Sequence, residues 1–379
     1  MARREDQVMG ENGVEIRGDI LEVILSHVPL IDLVSASHVS KSWRYAVASS
    51  LRHFNKPKPW LILHKQATRF PYTTSMHAYD PCSHMWIKIS QPSIKYNSTL
   101  KSSHSNFLYM LSSTKLSFSF DLMNISWSHV EPPLVWRTDP IVARVGDSII
   151  VVGGGCDYED DPLPVEIYNI VTNTWQTCDT MPGNLKDSAA STWLSIATTN
   201  EKLFITERKS GLTYWFDPKT KCWSRPNELN PNQPIYDHNI GTSNDDLILV
   251  GLCKNDENVE QVKIWKVDKE NFQCEEIGEM PLSHVEKLKS ESFEISSINV
   301  HVTENFVYIY NQTKKEEVVV CELITDNGCR WWSIQNVVAR DEMMMNRLVF
   351  SCSGVGFDEL QRIMRSENQR FEVESSHDR

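Results

Sequence analysis

The side chains able to do chemistry are scattered along this sequence. Its 12 histidines, among them His27, His38, His53 and His64, show no HExxH pair and no spacing that would gather metal ligands. Its nine cysteines run from Cys82 to Cys352 without a CxxC, the pattern of reduced thiols in an intracellular protein. Gly153-Gly154-Gly155 follows an apolar run and could bring backbone N–H groups to a phosphate. Pro162 and Pro164 follow, however, where such a loop needs a helix start. Asp157, Glu159, Asp160 and Asp161 put four acids into one short stretch, which reads as a solvated loop or as a surface that selects a basic partner.

The charge balance narrows the class. Lys plus Arg is 38 against 50 Asp plus Glu, a formal net charge of −12, which argues against a general nucleic-acid binder. No apolar run follows Arg3-Arg4, so no secretory leader is expected, and no stretch approaches a membrane span. The expected location is intracellular, cytoplasmic or nuclear. The 379 residues allow two or three domains, or one small module and one large one.

The elements that would position these groups change character near residue 58. Before it, Ile20, Leu21, Ile24, Leu25 and Val28 fall on one face of a helix that Pro29 stops. Asp32 is the expected N-cap of a second short helix carrying Leu33, Ala36 and Val39. A third carries Trp43, Ala46, Val47 and Leu51. Three short helices in about 40 residues cannot hold a core alone, so this module must pack on its own chain or dock on another.

After residue 58 a repeat appears. Tyr79-Asp80 precedes Trp86, Phe120-Asp121 precedes Trp127, Tyr168-Asn169 precedes Trp175, and Phe216-Asp217 precedes Trp223, each aromatic seven residues ahead of its Trp. Trp265 and Phe272 keep the gap in a fifth copy, and Val318–Cys321 to Trp331-Trp332 is a stretched sixth. Each copy has a polar turn and an apolar strand upstream, such as Gly146-Asp147 before 148–152. About four strands per copy predict an all-β propeller of about six blades, with the Trp filling space between sheets and the Asp or Asn holding a turn. Residues 347–356 are expected to complete blade one and remove its free edge. The tail from 358 is expected to be polar and poorly ordered.

Together the two parts resemble the F-box/kelch-repeat proteins of plants. The F-box resemblance rests on Asp19, Ile20, Leu21, Ile24, Leu25, Val28-Pro29, Asp32-Leu33, Val39, Ser40-Lys41 and Trp43-Arg44, with Ile16-Arg17 where the family has Leu-Pro. The kelch resemblance rests on the Tyr-Asp and Trp spacing, with the diglycine clear only at Gly153-Gly154. It implies an F-box three-helix module over 15–55, a kelch propeller over 58–357 and a tail over 358–379. It further implies a non-catalytic substrate-recognition subunit of a Skp–cullin–F-box ubiquitin ligase, without metal or cofactor. The partners implied are a Skp-type adaptor, through it a cullin and a RING protein, and a protein target, with no nucleic acid or membrane. A phenylpropanoid or flavonoid biosynthetic enzyme is the first target class to consider.

The adaptor-binding residues implied are Ile20, Leu21, Ile24, Leu25, Val28, Pro29, Leu33, Val39 and Trp43. The target-binding candidates lie in loops between second and third strands and between blades: Asp157, Tyr158, Glu159, Asp160, Asp161, Lys186, Tyr236, His238 and His284. A kelch scaffold without a ligase role is the alternative. A catalytic propeller ranks below it, because no convergent polar groups can be placed in a central channel, and Thr172-Asn-Thr-Trp175 reads as a blade turn rather than a sialidase motif.

Overall fold

The computed structural model describes residues 18–374 except 54–56, 71, 91–94, 97, 105, 122, 124–125, 155–163, 186–192, 232, 256, 258, 291–293, 325–327, 340–345 and 366–369. Three helices come first: α1 (Asp19–Leu25), α2 (Leu30–Ala36) and α3 (Lys41–His53). Pro29 does more than stop α1. It caps α2 with φ −52° and ψ 144°, so Asp32 lies in the first turn rather than at the cap. There its charge favours the helix dipole, which is why a cap-forming residue type misled the spacing argument. At α3 the Ser40 hydroxyl accepts the Trp43 N–H at 3.2 Å, a side-chain cap.

Six antiparallel sheets follow among the described residues. Blade two is Lys101–His104, Phe107–Leu111, Leu116–Ser119 and Ser128–Val130. Blade three is Ile141–Val145, Ser148–Val152, Pro164–Asn169 and Thr174–Thr180. Blade four begins with Leu194–Thr198, Leu203–Glu207 and Leu212–Asp217 and ends in Cys222–Trp223. Blade five is Ile235–Ser243, Asp246–Lys254, Glu260–Val267 and Cys274–Glu279; blade six is Ile298–Thr303, Phe306–Asn311, Lys314–Ile324 and Gly328–Gln335. Blade one is built from both chain ends. Asn346–Gly354 pairs along Pro59–Ala67, with Pro59 opposite Gly354 and Ala67 opposite Asn346, followed by Tyr72–Asp80 and Met85–Ser90. The expected closure therefore holds.

The apolar runs are continuous because both faces of a blade are buried. Ile149 and Val151 pack toward Phe107, Tyr109 and Phe118 of blade two, while Ile150 and Val152 pack toward Leu203 and Ile205 of blade four. The repeat spacing reflects one turn geometry. In blades three, four and five the turn residue (Asn169, Asp217, Asp268) accepts two backbone N–H bonds, and its carbonyl accepts the N–H of a left-handed residue four further on (Asn173, Lys221, Phe272). This corrects the fifth copy. Phe272 is its left-handed turn residue, so Val267 and Cys274, not Trp265 and Phe272, stand where the other blades carry an aromatic and a Trp.

The tail is also corrected. After α4 (Leu282–Leu288), which links blades five and six, the chain ends in α5 (Phe357–Met364) and the strand Arg370–Glu374, which pairs with Met85–Ser90 on the outer edge of blade one. Leu360 and Ile363 of α5 are buried in one core with Leu21, Leu25, Leu33 and Val47 of the module and Trp60, Ile87 and Leu108 of the propeller. These few apolar residues at helical spacing, diluted by charges, were enough to order the segment.

Candidate functional site

Each sheet is a meander, so its first and third turns lie at one end of the propeller. Its second turn and the link to the next blade lie at the other. The chain enters at Pro59 and leaves at Gly354, on the first-turn end beside Glu304. The helical module is therefore attached at the end opposite the loops proposed for target binding.

On the module, α1 presents Ile20, Val23 and Ile24, which are 67%, 47% and 45% exposed and share one face at i, i+3 and i+4. Val39 and Tyr45 are 64% and 77% exposed. Leu21, Leu25 and Leu33 turn inward into the chain's own core, and Val28, Pro29 and Trp43 are half-buried. Helical spacing alone marks both faces of α1. Only the core supplied by α5 and blade one decides which face is covered.

At the loop end, the 155–163 and 186–192 segments lie outside the described residues, and with them Asp157 to Asp161 and Lys186. Tyr236 is half-buried and donates its hydroxyl to the Ile295 carbonyl at 3.4 Å. His238 is buried, and its Nδ1 lies 2.9 Å from the Arg208 carbonyl. Burial pushes its pKa down. His284 lies on α4, half-buried, and burial lowers its pKa too. Tyr236 thus packs into the junction of blades five and six, and His238 into that of blades four and five, rather than facing an incoming partner.

Two buried ion pairs brace this end. The Arg137 guanidinium meets Glu166 at 2.9 Å with both side chains almost wholly buried, and it also donates to the carbonyls of Gly153 and Pro164. Thr138 N–H bonds the Gly154 carbonyl. Gly154 has φ 71°, and a Cβ there would collide with the Asp139–Pro140 backbone, which is why the diglycine survives here. Arg208 likewise forks onto Asp237 with two 2.8 Å bonds. These braces hold exposed apolar residues that the repeat argument missed. Leu134 and Trp136 stand 76% and 53% exposed on the link between blades two and three. Trp193 carries the Lys209 amine 4.4 Å from its ring centre. Trp136 and Trp193 stand apart from the seven-residue spacing, and that was the signal available in the sequence.

The innermost strands enclose a channel of about 800 Å³. Contrary to the sequence expectation, polar groups do converge there: Lys101, His104, Arg144, Arg208, His301 and Arg347 all line it. They come from strands far apart in sequence, so only ring closure brings them together. Burial pushes the His104 and His301 pKa values down to about 4, which leaves both imidazoles neutral near pH 7. Among the described residues no three His, Cys, Asp or Glu side chains are grouped to hold a metal, and no helix is long and apolar enough to cross a membrane.

Residues 19–55 match the F-box domain family. An F-box/kelch-repeat protein of Arabidopsis thaliana is 40% identical over 372 residues, covering 94% of each chain. The Kelch repeat and BTB domain-containing protein 8 of Danio rerio is 24% identical over 168 residues, 40% of this chain and 27% of that one. With an F-box fold at its start, a closed six-bladed propeller behind it and a relative matched almost end to end, the chain belongs to the plant F-box/kelch-repeat family.

Proposed function

We propose that this chain is the substrate-recognition subunit of a Skp–cullin–F-box ubiquitin ligase. The observation that carries the reading is the separation of two surfaces on one rigid body. An apolar α1 face with Ile20, Val23 and Ile24 stands at one end, and braced loops with exposed aromatics stand at the other. The module face docks a Skp-type adaptor, and through it a cullin and a RING protein, while the loop end holds a target protein. The chain is non-catalytic in this reading. It raises the effective concentration of target lysines near the activated ubiquitin, and the chemistry belongs to other subunits. A phenylpropanoid or flavonoid biosynthetic enzyme is the target class to test first.

The experiment is capture of a purified Skp-type adaptor by wild type and by Ile24→Asp. Ile24 is exposed in the free chain, so the variant keeps its fold while placing an unpaired charge in the contact. Leu25→Asp instead buries that charge in the module core and serves as the unfolded control. Capture by wild type and its loss in Ile24→Asp are expected. Failure of the folded wild type to bind any Skp-type adaptor would leave the chain a kelch scaffold.

A further inference from the structure

The channel's loop-side end holds two cations, Lys315 and Arg347, that no carboxylate meets in an ion pair among the described residues. Arg347 is the second residue of Asn346–Gly354, at the end of that strand paired with Gln66 and Ala67, next to the turn that opens on the loop face. Lys315 is the second residue of Lys314–Ile324, the third strand of blade six, just after the Gln312–Thr313 turn on the same face. Both line the channel. Burial first, and then the Arg347 charge, push the Lys315 amine below its usual range, with a partial opposing pull from Glu316.

A third group completes the geometry. Tyr109 is 4% exposed, yet it lines the same channel, and its hydroxyl has no hydrogen-bond partner among the described residues. The ring is buried while the hydroxyl reaches the channel, where its O–H can donate to a group that enters. Burial and the nearby Asp139 raise the phenol's pKa, so at neutral pH it remains an O–H donor. Asp139 itself is paired with Lys101 at 2.9 Å, which removes the obvious competitor for an incoming anion.

We propose that Tyr109, Lys315 and Arg347 form a binding site for an anionic group, a carboxylate or a phosphate, at the loop-side end of the channel. The hydroxyl donates one hydrogen bond and the two cations supply charge-assisted ones, the arrangement that makes such bonds strong. The site deepens the receptor reading by giving the target an acidic feature. Its test uses the purified chain alone, so it succeeds or fails separately from adaptor capture.

The test is fluorescence anisotropy of a labelled hexaglutamate peptide, with inorganic phosphate as competitor. Saturable peptide binding is expected, weakened about tenfold or more by the pair Lys315→Gln and Arg347→Gln and several-fold by Tyr109→Phe. Lys219→Gln, a fully outward lysine on blade four, should leave it unchanged. Peptide binding that phosphate does not displace identifies an acidic protein segment. Displacement by phosphate, with a rise in melting temperature, identifies a free anion; either supports the site. Because the two cations repel each other in the empty channel, the double variant should melt no lower than wild type. The proposal fails if neither probe binds saturably, if the double variant binds as well as wild type, or if Lys219→Gln weakens binding equally.

Discussion

The indole N–H of Trp86 donates to the carbonyl oxygen of Gln335 at 2.9 Å, across 249 residues of sequence and across the seam where the propeller closes. Trp175 makes the corresponding bond to the Glu131 carbonyl, from blade three to the link that follows blade two, at 3.1 Å. In blades one and three the repeat Trp is therefore a stitch between neighbouring blades as well as a space filler, whereas in blade four the buried indole nitrogen of Trp223 finds no acceptor among the described residues. Around the seam the stitch is doubled, since the Trp332 indole donates to the Tyr79 hydroxyl at 3.2 Å. In blade five, where Cys274 occupies the Trp position, the thiol turns back onto the Phe272 carbonyl of its own turn.

Trp86→Phe keeps most of the ring volume and removes only the donor. The expected loss is about 1–2 kcal/mol, the cost of one buried hydrogen bond. Trp175→Phe, whose bond is more exposed, should cost less than about 1 kcal/mol. Urea unfolding of the two variants checks this, and equal losses would remove the special role given to the seam.

How much of this was legible in the sequence depends on what fixed each feature. Tyr79 and Trp86, Tyr168 and Trp175, and Phe216 and Trp223 face each other across paired strands because the turn between them has a set length. Trp265 and Phe272 share that gap by coincidence, since the turn is fixed by Asp268 and a left-handed residue and not by rings. On α1 the pattern gives Ile20 and Leu21 equal standing, and only the core formed with α5 separates them. The Lys315, Arg347 and Tyr109 cluster draws on blades six, one and two and was invisible before closure.

Arg137→Met strands the Glu166 carboxylate in the interior and is expected to cost about 3–5 kcal/mol. Glu166 retains a bond from the Leu134 N–H at 2.5 Å, so Arg137→Met combined with Glu166→Leu should recover only part of that loss. A double-mutant cycle on unfolding free energy reads the coupling. Additive losses would mean that the pair does not brace the loop carrying Leu134 and Trp136.

Acid should weaken the fold through His64, which is 1% exposed on the strand Pro59–Ala67 of blade one. Burial, and to a lesser degree His77, lowers its pKa from 6.5 to about 4. Between those values the unfolded chain binds a proton that the folded chain refuses. The stability contributed by the neutral ring is therefore complete above about pH 6.5 and lost as pH falls toward 4. At ~1.4 kcal/mol per pH unit, the contribution of His64 is about 3–4 kcal/mol. Chemical unfolding from pH 7.5 down to 4.5 should show a steeper loss in wild type than in His64→Gln. Parallel curves would place the acid sensitivity elsewhere.

The C-terminal segment is expected to decide whether the module and the propeller act as one body. Leu360 is fully buried in the core that also contains Leu33 and Val34 of α2 and Trp60 of blade one, and Arg365 reaches the His38 ring at 3.4 Å. A target held at the loop end is presented at a fixed distance from the adaptor only if this joint is stiff. Leu360→Ala should cost about 2–5 kcal/mol, the range for a buried leucine truncated to alanine. The loss should be local, because the core it opens is distinct from those between blades three and four or five and six. Hydrogen exchange would then show α2 and α5 losing protection together while amides in Asp246–Lys254 keep theirs. Loss of protection in α5 alone would mean that the module is held by its own three helices, and the rigid-receptor argument would have to be abandoned.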